Sequence, residues 1–99
     1  MTIRFATQQL EDWFTNKYEG KQPFSEAVQK ADQKTIRKLD AADNLTVLRQ
    51  NKSLNLHPLK RNLDGMYAVR VNRRYRVVFS ITEEGQIQVL LIEQLTDYH

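Results

Sequence analysis

Tyr67-Ala68-Val69-Arg70-Val71-Asn72-Arg73-Arg74-Tyr75-Arg76-Val77-Val78-Phe79-Ser80-Ile81 is the stretch that decides the fold. Tyr67, Val69 and Val71 alternate with Ala68, Arg70 and Asn72; then Tyr75, Val77, Phe79 and Ile81 alternate with Arg74, Arg76, Val78 and Ser80. A period of two, rich in β-branched and aromatic residues, predicts two antiparallel strands joined at Asn72 to Arg74. Successive side chains point to opposite faces, so one row packs on a core while Arg70, Arg74 and Arg76 share the other face, a basic and concave outer surface.

Working outward, Thr82-Glu83-Glu84-Gly85 reads as a turn, and Gln86 to Glu93 as a further strand with Ile87, Val89 and Leu91 on one side. Upstream the period becomes helical. Ser25 is an N-cap, and Val28, Ala31, Thr35, Leu39 and Ala42 recur at intervals of three and four, predicting a helix that ends near Ala42. Lys30, Lys34, Arg37 and Lys38 mostly occupy its wet faces. Leu45, Val47 and Leu48 suit another short turn before the polar stretch Gln50 to Ser53. Before Ser25, Thr2 to Phe5 suits a short first strand, Thr7 caps a helix carrying Leu10, Trp13 and Phe14, and Gly20, Gln22 and Pro23 break it. The expected architecture is α+β: two N-terminal helices packed on a small, mainly antiparallel twisted sheet, with residues 1–99 as a single domain.

Composition narrows the function. A chain of 99 residues with a 40% apolar share is globular and buries roughly 60 to 70% of its unfolded surface. With no cysteine, disulfides and thiolate zinc sites are excluded, and a cytoplasmic home is the simpler expectation. The sequence opens with no charged and apolar leader pattern and holds no long apolar run, so neither export nor a membrane span is expected. The net charge of +3 is unevenly placed. Residues 60 to 76 hold Lys60, Arg61, Arg70, Arg73, Arg74 and Arg76 against the single acid Asp64, a local +5 on a body of −2. Such a patch suits a polyanion, although arginines also guard solvated sheet edges.

Three clusters suit holding a phosphate and moving protons: His57-Pro58-Leu59-Lys60, the pair Arg70 and Arg76, and Asp97-Tyr98-His99. RNA cleavage without a metal needs a base for the ribose 2′-hydroxyl proton, cations for the crowded phosphorane and an acid for the departing 5′-oxygen. Arg76 is the main candidate clamp, Lys60 assists it from the neighbouring strand, and Arg70 holds a flanking phosphate. His57, Asp97 and His99 divide the proton transfers between base and acid, and Tyr98 donates a hydrogen bond or stacks on a base. Arg61 adds charge beside Lys60, while Arg73 and Arg74, at a hairpin tip, suit general RNA contacts or plain solvation. Plainer roles exist for the rest: a histidine beside proline is commonly a turn residue, and terminal residues commonly fray. No Gly-rich phosphate loop, clustered metal-binding carboxylates or serine elbow is present, so neither cofactor nor metal is expected.

Leu56-His57-Pro58-Leu59-Lys60, Gly65, Tyr67 to Asn72, Tyr75 to Phe79 and the closing Asp97-Tyr98-His99, taken in order, resemble the HigB branch of the RelE/ParE toxin superfamily. Arg61-Asn62 stands where many relatives have Gly-Asp, and Tyr75 where they often have Trp. The resemblance implies a ribosome-dependent messenger RNA endoribonuclease, the toxin of a type II toxin–antitoxin pair, neutralised by a small helix-turn-helix antitoxin, HigA. Fold alone does not separate this from a ParE-like module that inhibits DNA gyrase by binding it. The set His57, Lys60, Arg76 and His99 does, because a purely binding toxin does not need it. A plain RNA-binding domain is less well served, for lack of exposed aromatic pairs.

Overall fold

The computed structural model describes residues 1–15, 25–60, 65–84 and 87–97. Strand β1 is Thr2–Phe5, followed by helices α1 (Gln8–Thr15), α2 (Glu26–Ala41) and α3 (Leu45–Gln50), a 3₁₀ turn at Lys52–Leu54, and strands β2 (His57–Pro58), β3 (Met66–Arg70), β4 (Tyr75–Glu84) and β5 (Ile87–Asp97). The five strands form one sheet in the order β1-β5-β4-β3-β2. Its β2–β3, β3–β4 and β4–β5 pairings are antiparallel and β1 runs parallel to β5, giving the expected α+β architecture.

The helices start where their caps say. Thr7 Oγ1 accepts from the Leu10 amide at 3.2 Å, Ser25 Oγ from Val28 at 3.3 Å, and Asn44 Oδ1 from Val47 at 3.1 Å. At the other end of α2, the Met1 ammonium donates to the Asp40 and Ala42 carbonyls, placing positive charge where the helix dipole favours it. Leu10 and Trp13 of α1, Ile36 and Leu39 of α2 and Leu48 of α3 close over Val69, Val77, Phe79, Ile92 and Leu95 of the sheet. The cross-strand partners Tyr67 and Phe79 add a stacked contact, ring centroids 5.8 Å apart.

Several details differ from the expectation. Strand β4 continues through Glu84 where a turn was expected at Thr82 to Glu84, and β5 runs on past Glu93 to Asp97. Within β5, Val78 pairs with Gln94 but Phe79 with Ile92, so Glu93 is a bulge. Residues 87, 89 and 91 are in register with Glu84, Thr82 and Ser80, and Ile92 and Leu95 of β5 join the core. The buried stripe of α2 includes Asp32 and Ile36, which the expected spacing passed over. The expected break at Gly20, Gln22 and Pro23 lies outside the described residues.

Candidate active site

Strand parity builds the site. On β4, Val77 and Phe79 face the helices, so Arg76, Val78 and Ser80 belong to the other face. Register extends this face across the sheet in rows: His57, Ala68, Val78 and Gln94 in one, and Arg70, Arg76 and Thr96 in the next. Arg70 is exposed and Arg76 half-buried, with its Nε atom fully enclosed, which fixes the stem of the guanidinium. Arg70 is the diagonal neighbour of His57, roughly 7–8 Å away across β2 and β3. Arg76 lies one strand further, about 12 Å from His57 by backbone spacing, within the combined reach of an arginine and an imidazole converging on one anion.

Between histidine and arginines lies an apolar floor. Ala68 and Val78, directly opposite each other, are both 0% exposed although they alternate with the helix-facing residues. Charged groups around such a floor feel one another and a bound anion more strongly than they would in open water. The nearby polar groups are Thr96, half-buried, Gln94, exposed, and Ser80, whose hydroxyl donates to Glu93 Oε1 at 3.4 Å. The sequence did not single these out; their only signal was alternation with the core row of a strand whose bulge it did not reveal.

His57 is held locally. Its backbone occupies β2, opposite Ala68, where the following Pro58 restricts it to extended conformations. Its Nδ1 lies 3.0 Å from the Asn55 carbonyl.

Other expected members fall differently. Lys60 is exposed and lies past the end of β2, which pairs with β3, so it does not flank Arg76 on a neighbouring strand; the Leu59 amide, donating to Met66 O at 2.9 Å, is the last link before it. Arg73 and Arg74 sit in the β3–β4 turn, where Asn72 Oδ1 accepts from the Arg74 and Tyr75 amides, both at 2.8 Å. The Arg74 guanidinium stacks 5.6 Å over Tyr75, and the turn lines a groove with Ser25 and Val28 at the start of α2. Arg74 therefore leaves the Arg70–Arg76 face it was expected to share. Asp97 closes β5 in register with Tyr75, one position beyond the Arg76–Thr96 row. Arg61, Tyr98 and His99 lie outside the described residues. Among the described residues no group of three or more His, Asp or Glu could hold a metal ion, and no helix is long and apolar enough to cross a membrane.

Similar folds carry related names. The chain is similar to a YoeB/ParE toxin from Agrobacterium tumefaciens, with 15% identity and a TM-score of 0.62 over 100% of both chains. It is also similar to the YoeB-YefM complex from Staphylococcus aureus, with 22% identity and a TM-score of 0.57 over 100% of this chain and 97% of that one. The toxin-antitoxin complex RelBE2 from Mycobacterium tuberculosis gives 18% identity and a TM-score of 0.52 over 98% and 96%. Likeness at such identities is one of fold. Comparison with curated proteins finds no match. Residues 3–99, which hold the sheet from Ile3 on and the candidate site, match the family described as the RelE-like toxin of type II toxin-antitoxin system HigB. The chain belongs to this family of HigB-like toxins.

Proposed function

We propose that this toxin is a metal-independent endoribonuclease that cuts messenger RNA on the ribosome and so blocks translation. The observation that carries the proposal is the Arg70–Arg76 pair beside the buried Ala68–Val78 floor, with His57 at the edge of the same face. A base takes the proton from the ribose 2′-hydroxyl, and the 2′-oxygen attacks phosphorus. The bond to the 5′-oxygen breaks and an acid protonates it, leaving a 2′,3′-cyclic phosphate and a free 5′-hydroxyl. Arg76 and Arg70 stabilise the charge that gathers on the phosphorane, and Lys60 adds to the local positive potential. His57 and His99 supply the base and the acid, with Tyr98 as hydrogen-bond donor or stacking surface; Asp97, in register with Tyr75 and so at the helix-facing parity of the sheet, is not assigned a proton transfer. Arg61, Arg73 and Arg74 contact RNA more generally. The partners are messenger RNA, the ribosomal decoding site and a HigA-like helix-turn-helix antitoxin, in the cytoplasm, and no cofactor takes part.

The test is cleavage of labelled message on programmed ribosomes by wild type, Arg76→Ala and His57→Ala, mapped by primer extension. Cleavage by wild type alone, abolished by a 2′-deoxy sugar at the cut nucleotide, is the expected result. Equal cleavage by all three proteins overturns the site assignment. No cleavage, with arrested supercoiling by DNA gyrase, replaces the enzyme with a gyrase-binding toxin.

A further inference from the structure

We propose that Asn55 is a positioning residue that sets the tautomer of His57, so that His57 exchanges its proton only through Nε2. The inference rests on His57 being a proton carrier of the site proposed above. A carbonyl oxygen can only accept, so the 3.0 Å contact between His57 Nδ1 and Asn55 O requires the proton to sit on Nδ1. In the neutral ring this leaves the lone pair on Nε2. In the imidazolium Nδ1 keeps its proton, hydrogen-bonded to the carbonyl, and the transferable one is again on Nε2. Histidines in metal and catalytic sites are commonly fixed in this way by the partner of their other nitrogen.

What makes the contact possible is the backbone of Asn55. It has φ 48° and ψ 48°, the left-handed conformation, and caps the Lys52–Leu54 turn by donating to Lys52 O at 3.2 Å. This conformation turns the Asn55 carbonyl toward the ring two residues on. Asparagine tolerates this conformation far better than β-branched residues do. The turn is anchored on both sides: Leu54 is 1% exposed in the core, and Asn51 Oδ1 accepts from the Ser53 amide at 3.2 Å and from its hydroxyl at 2.6 Å. Downstream, the pairing of His57 with Ala68 fixes the ring's own backbone. The carbonyl and the imidazole are thus held by separate parts of the fold, a geometry a flexible loop would not keep.

The test is long-range ¹H–¹⁵N correlation on the full ¹⁵N-labelled chain at alkaline pH, with His57→Gln identifying the His57 signals. Wild type and Asn55→Gly, in which glycine adopts the left-handed turn freely, are expected to show the proton on Nδ1. Asn55→Val is expected to shift His57 to the Nε2–H form and to lower kcat about tenfold with KM unchanged, while Asn55→Gly stays within about twofold of wild type. An Nε2–H tautomer in wild type overturns the proposal, as does a folded Asn55→Val with the wild-type tautomer. Should Asn55→Val not fold, wild type and Asn55→Gly still decide, because both must carry the Nδ1 proton. Failure of the wild type to cleave RNA counts against the ribonuclease reading, and the tautomer is read independently of it.

Discussion

Arg70 and Arg76 are direct cross-strand partners on β3 and β4, two like charges at the closest spacing a sheet offers. Two guanidinium groups so placed can both donate to one bound anion. Arg70→Met keeps the stem and removes the charge. It is expected to slow RNA cleavage at least about tenfold. Added inorganic phosphate should raise the melting temperature of wild type more than that of the variant; equal shifts in a thermal melt would show that the pair does not hold anions.

Asp32, on the buried stripe of α2 and 3% exposed, has its pKa raised by burial from 3.8 to about 7. Between those values the folded state binds a proton that the unfolded state has released, so stability falls as pH rises from about 4 to about 7 and levels off above. The shift corresponds to roughly 4 kcal/mol. Relative to wild type, Asp32→Asn should therefore gain stability steadily across that window in urea titrations. A difference independent of pH would contradict the assignment.

The floor between the arginines and His57 has no room to spare, since Ala68 and Val78 are both 0% exposed. Ala68→Leu overpacks it, with an expected loss of about 1–3 kcal/mol in chemical denaturation. If the floor shapes the site, cleavage by the folded fraction falls as well, which single-turnover rates corrected for folded protein will show.

Among the described residues Phe79 is the largest side chain that is fully buried, stacked on Tyr67 and opposite Ile92. Phe79→Ala is expected to cost about 3–5 kcal/mol by denaturant unfolding. By contrast, Lys30→Ala, which removes an exposed pair with Glu26 at 3.2 Å, should cost less than about 0.5 kcal/mol. Similar losses in the two variants would mean that the core is not centred on β4.

Where one face of an element differs chemically from the other, the sequence was legible. The alternation in Tyr67 to Ile81 placed β3, β4 and the Arg70–Arg76 face, and the spacing from Val28 to Ala42 placed α2 between its caps. Where a strand is short or irregular it was not. Four residues of β1 hold no information about a parallel partner 87 positions away, and Glu93 breaks the period of two that a strand assignment relies on. Asp32 was passed over because a carboxylate in a helix reads as a wet face unless the packing is known. Within the site, Arg76 could be found from parity, whereas the turn at Asn55 depends on a dihedral angle that no residue spacing encodes.

The pairing of Thr2 with Val89 has a consequence in time. A chain made from its N-terminus presents β1 first, yet β1 has no ladder partner until β5 emerges, and long-range pairings of this kind are closed late. The Arg76–Thr96 row waits on the same strand. A nascent chain halted before residue 87 would carry both arginines on an unfinished sheet, lacking the wall beside them and the core residues Ile92 and Leu95 beneath. Competence to act thus arrives with the last strand to be translated.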